Sequence, residues 1–282
     1  MKKTAIITGA NGDMGREITK AIARAGYTTI MACRPSEKAQ KAYALIKQET
    51  NADVVFLPLD LASTESILSL IEVVKKSYPT INLLINNAGT LNPKQKDLDN
   101  RWDYTTMVNY FGHYLLTFKL LPLLAVGARI VNVVSLTYRF GTIKPDFFEG
   151  GRHSWVQQVK NYSNSKLALL YFSLDLAQKL AEKNIIVNCS DPGIVGTKII
   201  AMNHRFFDKV CDIFARPFMK SPEKGAKTAV FLALNQEINN ISGGYFKNEK
   251  QIPILGRVLK ENEEILLKQL TQELLTEKNI SL

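Results

Sequence analysis

Over the first 135 positions, apolar residues fall in short β-branched runs separated by stretches with helical spacing. Thr4–Thr8, Thr28–Cys33, Val54–Leu57, Leu83–Asn86 and Arg129–Val134 read as strands. Nearly every position in them is apolar, as strands covered on both faces require. Between them, Met14–Ala25, Glu37–Thr50 and Thr64–Lys76 carry apolar residues at helical intervals, and Ser36 and Ser63 stand where N-caps belong. Strand–helix–strand repetition at this spacing predicts parallel pairing in a doubly wound α/β sheet.

The second half continues the pattern. A long helix is predicted from about Asn161 to Glu182, a strand over Ile185–Cys189, a helix over Pro222–Leu234 and a short last strand over Gly243–Phe246. The tail, Leu255 to Leu282, reads as an acidic amphipathic helix with Leu266, Leu267, Leu270, Leu274 and Leu275 on one face. The expected organisation is one domain over residues 1–250, with a helical substrate lid at about 198–221, and a helical extension over 251–282.

The 282 residues suit one α/β domain with an appendage. No apolar run approaches 18 residues, so no transmembrane span is expected. The start is too short in apolar residues for a secretory signal. Cys33, Cys189 and Cys211 are far apart, as are His113, His153 and His204, so no disulfide framework and no metal site is expected and a reducing, cytoplasmic setting fits. The net charge of +10 is spread along the chain, which argues for solubility and against a nucleic-acid surface.

Chemistry gathers at the strand ends. Thr8 to Gly15 (Thr-Gly-Ala-Asn-Gly-Asp-Met-Gly) follows the first strand and opens the first helix, the arrangement that brings backbone N–H groups to a pyrophosphate. The second strand ends in Cys33-Arg34 with Lys38 one turn on and no acidic residue within the strand end, which favours a ribose 2′-phosphate and hence NADP(H) over NAD(H). Asp60 and the run Asn86-Asn87-Ala88-Gly89 close two further strands.

Tyr162 and Lys166 are four apart in a helical stretch and share a face. A nearby ammonium favours a phenolate, and a Tyr so tuned passes a proton to or from an alcohol or carbonyl oxygen. The spacing alone is not selective, because Tyr43 and Lys47 repeat it. The context separates them: Tyr162 follows Ser135, which ends the strand Ile130–Val134, and Asn109 lies in the preceding helix.

In order, Thr8–Gly15, Asp60, Asn86–Gly89, Asn109, Ser135, Tyr162 with Lys166, and Pro192-Gly193 followed by Thr197 resemble the motif set of the short-chain dehydrogenase/reductase family over about residues 3–250. Ala32-Cys33-Arg34, Asn109 to His113, Tyr162 to Ala168 and Ser242 to Phe246 are similar to its retinol-dehydrogenase-like branch. The resemblance implies a Rossmann fold and a catalytic set of Asn109, Ser135, Tyr162 and Lys166. Tyr162 would be general acid/base, Lys166 would bind the nicotinamide ribose and lower the Tyr162 pKa, Ser135 would orient the carbonyl, and Asn109 would hold a relay water. The implied cofactor contacts are Gly9, Asn11, Gly12, Met14, Gly15, Arg34, Asp60, Leu61, Asn87, Ala88, Gly89, Tyr162, Lys166, Pro192, Gly193, Val195 and Thr197. Two residues depart from the pattern. Asp13 stands where a glycine is usual, either bringing a carboxylate near the pyrophosphate, where like charges repel, or pointing away to cap the first helix; Asp191 stands where the branch usually has His.

The function expected is an NADP(H)-dependent reduction of a lipophilic or aromatic ketone or aldehyde, or the reverse oxidation of an alcohol, in a homodimer or tetramer. The aromatic residues of 136–155 and 198–220 suggest an apolar substrate wall. The alternatives are a C=C-reducing relative and a nucleotide-binding scaffold with little turnover.

Overall fold

The computed structural model describes residues 2–91, 97–151, 154–195 and 220–282. The expected lid at about 198–221, Thr197, His153 and Cys211 therefore lie outside the described residues, except for positions 220 and 221 at the end of the lid.

Six βα-type steps build an eight-stranded sheet. In chain order the strands are β1 (Thr4–Thr8), β2 (Thr28–Cys33), β3 (Val54–Pro58), β4 (Ile81–Asn86), β5 (Leu124–Val133), β6 (Ile186–Asp191), β7 (Tyr245–Lys247) and β8 (Lys250–Gln251). Their spatial order is β3-β2-β1-β4-β5-β6-β7-β8. All pairs are parallel but the last, where β8 turns back on β7. The order reverses between β1 and β4, and a crevice opens at such a switch point beyond the carboxyl ends of the strands.

Alternation within each strand divides the core in two. Ile6 of β1 faces one layer while Ala5 and Ile7 face the other. The second layer is closed by α1 (Asp13–Arg24), α2 (Glu37–Thr50) and, from the far end of the chain, Pro222–Leu234. The first is closed by α3 (Thr64–Ser77), a composite helix and the long α6 (Trp155–Lys179). The composite helix starts as α4 (Tyr104–Thr106), widens into a π turn over Met107–Phe111 and continues as α5 (Gly112–Leu120). Pro222–Leu234 is α7, and the tail forms α8 (Glu261–Glu277).

Differences from the expected elements have local causes. Helix α6 starts six residues before Asn161 because the Ser154 side chain caps it, accepting from Gln157 N. Its first turns carry exposed Trp155 and Val156 among polar residues, so no buried apolar face marks the start. Strand β5 runs back to Leu124, beyond the 3₁₀ turn that holds Pro122. Helix α8 is shorter than the amphipathic pattern, starting after the turn at Gly256 and ending before left-handed Asn279.

The α8 helix covers α6 and the π turn. Leu267, Leu274 and Leu275 are buried, the Thr271 hydroxyl meets Tyr110 Oη at 2.9 Å, and Lys268 pairs with Asp175 of α6 at 2.8 Å. Tyr171 accepts from Lys260 N at 2.8 Å. The apolar outer face of α6 is thus covered by the chain's own tail.

Candidate active site

The loop after β1 is folded against the loop after β4. Gly9 has φ +64°, and a Cβ on it would stand 2.8 Å from Ala88 Cα. A Cβ on Gly15 would stand 2.2 Å from the Gly9 carbonyl oxygen. Both positions therefore need glycine. Asn87 staples the two loops by donating from Nδ2 to Thr8 O at 2.8 Å.

Thr8 is the hub of this staple. Its Oγ1 accepts from Asn87 N and Ala88 N, each at 2.9 Å, and lies 3.0 Å from His113 Nε2. His113 Nδ1 is 3.1 Å from the Asn109 carbonyl, which only accepts. The proton therefore sits on Nδ1, and Nε2 accepts the Thr8 hydroxyl proton. Burial drives the His113 pKa down to about 3, so the ring is neutral. The sequence offered His113 only as part of a motif; its signal was the four-residue spacing from Asn109, which on a helix aims the ring back at that carbonyl.

Helix α1 starts at Gly12 with no side-chain cap, so its first N–H groups are not engaged by a cap of their own. Asp13 does not cap the helix, one of its two expected placements. It lies in the first turn and pairs with Arg16 at 3.3 Å, which offsets its charge next to the loop. A glycine cradle and an uncapped helix start together fit a dinucleotide pyrophosphate.

Beyond β2 and β3 lie the residues expected on the adenine side. Arg34 is exposed, and its Nη1 donates to Tyr104 Oη at 3.0 Å. Asp60 accepts from Ala62 N at 3.0 Å. A Cβ on Gly112 would stand 2.3 Å from Leu61 O, so the composite helix rests directly on the Asp60–Leu61 turn.

The reactive side lies at the ends of β4 and β5. Asn109 sits in the π turn, a distortion that recurs at functional sites. Its Nδ2 donates to Thr90 O (3.0 Å) and Ser165 Oγ (3.1 Å), and its Oδ1 accepts from Thr90 N at 2.8 Å. Lys166 is buried, with Nζ donating to Val133 O at 2.9 Å and lying 5.6 Å from the Tyr162 ring centre. A Cβ on Gly89 would be 3.6 Å from Lys166 Nζ and 3.8 Å from Asn109 Oδ1. Gly89 is thus the point where the loop after β4 meets Lys166 and Asn109.

Tyr162 is half-buried beside Ser135. Burial pushes its phenol up to about 12, hydrogen bonding with Ser135 opposes this, and the Asp191 carboxylate adds to it. Burial also brings Lys166 down to about 8. The phenol is therefore held above its ordinary value, where a lowering by the ammonium was expected. At neutral pH the Tyr162 phenol keeps its proton.

Asp191, buried at the end of β6, accepts from Gly193 N at 2.8 Å and from Tyr245 Oη at 2.6 Å. The first bond shapes the turn at Pro192-Gly193, where Gly193 has φ +76°. A Cβ on Gly225 of α7 would lie 2.6 Å from Val195 Cγ2 and 3.4 Å from Met14 Sδ, so the pyrophosphate loop and the loop after β6 close on one point of α7. Asn11 and Gly12 lie on the same loop as Met14.

The aromatic wall is only partly in place. Tyr138, Phe147 and Phe148 are buried, and the last two pack on Tyr110. Phe140 is 78% exposed in the turn after Ser135, and Ile194 is 65% exposed beyond Gly193. The other Tyr/Lys pair, Tyr43 and Lys47, makes only a ring contact, at 5.4 Å, on α2. Among the described residues no cluster of His, Cys, Asp or Glu is arranged to hold a metal, and no helix is long and apolar enough to cross a membrane.

A parallel sheet whose strand order reverses at a glycine cradle, with Ser135 just beyond β5 and Tyr162 and Lys166 on α6 beside it, is the arrangement of a nucleotide-dependent oxidoreductase fold. The family model of short chain dehydrogenase matches residues 3–205. Mouse retinol dehydrogenase 14 is 33% identical over 92% of this chain and 82% of its own length, and mouse polyprenol dehydrogenase is 32% identical over 90% and 78%. Among solved structures, a Beutenbergia cavernae protein provisionally assigned as an NAD(P) dependent gluconate 5-dehydrogenase, with NADP bound at low occupancy, superimposes with a TM-score of 0.68. It is 25% identical, covering 87% of this chain and 94% of the other. The chain belongs to the short-chain dehydrogenase/reductase family, in its retinol-dehydrogenase-like branch.

Proposed function

We propose that this oxidoreductase uses NADP(H) to reduce a lipophilic or aromatic ketone or aldehyde, or to oxidise the corresponding alcohol. The observation that carries the reading is the meeting of Gly89 with Lys166 and Asn109, which joins a dinucleotide cradle to a Ser135/Tyr162/Lys166 set. The cofactor, when bound, supplies or accepts the hydride.

The chain's residues handle the proton and the orientation. Ser135 and Tyr162 hold the carbonyl oxygen. As negative charge develops there, Tyr162 delivers its proton, and in oxidation it takes the proton back. Lys166, fixed by Val133, anchors the nicotinamide ribose. Asn109 and Ser165 connect Tyr162's helix to the backbone at Thr90, the path along which a relay water restores the proton. Gly9, Gly12 and Gly15 hold the pyrophosphate, Asp60 and Leu61 the adenine, Asn87 and Ala88 the adenosine ribose, and Pro192, Gly193, Val195 and Thr197 the nicotinamide.

Arg34 supports the preference for NADP(H), because a guanidinium at this strand end pairs with a 2′-phosphate. Exposed Phe140 and Ile194 support a lipophilic substrate. A cytoplasmic setting is supported by Cys33 and Cys189, both buried free thiols with pKa values raised by burial to about 11 and about 12. A homodimer or tetramer would associate through surfaces other than the outer face of α6, which α8 covers.

Paired fluorescence titrations with NADPH and NADH, followed by a screen of ketones, aldehydes and enones, test the reading. Tight NADPH binding with turnover of ketones or aldehydes supports it. Binding of neither nucleotide, or turnover of enones alone, contradicts it.

A further inference from the structure

Arg34 and Tyr104 are 70 residues apart in sequence, yet their side chains are joined by the 3.0 Å bond from Nη1 to the phenol oxygen. The two partners differ in freedom. Arg34 is exposed on the loop after β2, where a long side chain has many rotamers to lose. Tyr104 is buried, in the first turn of the composite helix, next to the N-cap Asp103. Asp103 fixes that turn by accepting from Thr106 N at 2.8 Å and from Asn161 Nδ2 at 2.7 Å. The close approach of Gly112 to Leu61 O sets how deep the helix sits over the strand ends.

We propose that Tyr104 is a positioning residue for nucleotide choice: its hydroxyl holds the Arg34 guanidinium in place for the ribose 2′-phosphate of NADP(H). The inference rests on the NADP(H) reading above. The geometry suits the role, because the bond uses Nη1 and leaves the Nε–Nη2 edge of the fork for two parallel bonds to a phosphate. Burial raises the Tyr104 phenol and the neighbouring Asp60 carboxylate adds to this, while Arg34 opposes, so the oxygen stays a neutral acceptor at physiological pH. A free Arg34 would have to be ordered by the ligand; one held by Tyr104 has already lost much of that freedom.

The test is a binding cycle with NADP⁺ and NAD⁺ on the intact protein, read by calorimetry, using wild type, Tyr104→Phe, Arg34→Ala and the double variant. Thermal unfolding of each checks that the fold is kept. Arg34→Ala is expected to weaken NADP⁺ at least tenfold with NAD⁺ little changed. Tyr104→Phe is expected to weaken NADP⁺ about fivefold, leave NAD⁺ within about twofold, and have no further effect in the Arg34→Ala background. If Tyr104→Phe weakens both nucleotides equally, weakens neither, or adds its full effect to Arg34→Ala, the positioning role is overturned while the NADP(H) reading stands. If Arg34→Ala leaves the NADP⁺/NAD⁺ ratio unchanged, both fall.

Discussion

Lys166 Nζ donates to the Val133 carbonyl at 2.9 Å, from a side chain that is 2% exposed. Holding a cation there is costly. Burial lowers its pKa from the ordinary 10.5 to about 8, a difference worth roughly 3 kcal/mol. The depressed group gives the folded chain an advantage that is complete above pH 10.5 and lost as pH falls to 8. Lys166→Met is therefore expected to be more stable than wild type at pH 7, by about 1–2 kcal/mol after the unpaired carbonyl is counted. That advantage should shrink as pH rises from 8 to 10. Urea unfolding at pH 7 and pH 10 measures both, and a destabilised variant at pH 7 would contradict the account.

His113 gives the opposite end of the pH range its own signature. Its pKa drops from 6.5 to about 3 in the fold. The unfolded chain then binds the extra proton, so stability is full above pH 6.5 and declines as pH falls toward 3. The slope from this one group approaches 1.4 kcal/mol per pH unit. His113→Gln should be less stable at pH 7, because Thr8 loses its acceptor, but its stability should fall less steeply between pH 6 and pH 4. Parallel slopes in wild type and variant would rule out a neutral buried His113.

The glycine cradle makes a steric prediction. An alanine at position 15 brings Cβ to 2.2 Å from Gly9 O and 2.9 Å from Asn87 Nδ2. The loop must move away from Asn87 to accept it, at a cost of about 1–3 kcal/mol. Gly15→Ala is expected to keep the native circular dichroism and to lose NADPH affinity at least tenfold by fluorescence titration.

The tail contributes to stability through few residues. Leu274 is 2% exposed and packs in the cluster shared with Leu169, Leu170 and Tyr171 of α6. Leu274→Ala should cost about 2–4 kcal/mol, whereas Ile265→Ala, on the 59% exposed side of the same helix, should cost little. A thermal-unfolding comparison of the two separates a packed tail from a loosely attached one.

Much of this was legible in the chain. Thr4–Thr8, Thr28–Cys33, Glu37–Thr50 and Pro222–Leu234 form the elements their apolar spacing predicts, with the same ends. These strands are apolar or β-branched throughout, their Ala and Cys positions buried as well, and Ser36 and Ser221 supply side-chain caps, so local and tertiary preferences agree. The start of α6 was not legible because Trp155 and Val156 of its first turn face outward and mark no apolar period, and β5 begins directly after the proline turn. At the site, Ser135 was legible at the end of its strand and Tyr162 with Lys166 by their four-residue helical spacing, and the fold brings the three together. The Thr8–His113 and Arg34–Tyr104 bonds join residues far apart in sequence, and no spacing rule reaches across such distances. The direction of the Tyr162 shift was not legible for a related reason: the balance of burial, Ser135 and Asp191 exists only in three dimensions.

The proton of Tyr162 is the centre of the account, and Tyr162→Phe tests it most directly. The measurement is NADPH binding by nicotinamide fluorescence beside NADPH-dependent reduction of a ketone or aldehyde that wild type turns over. With the ring kept and only the hydroxyl lost, binding should stay within about twofold while turnover falls at least about 100-fold. Undiminished turnover in the Phe variant would contradict the assignment of Tyr162 as the acid/base.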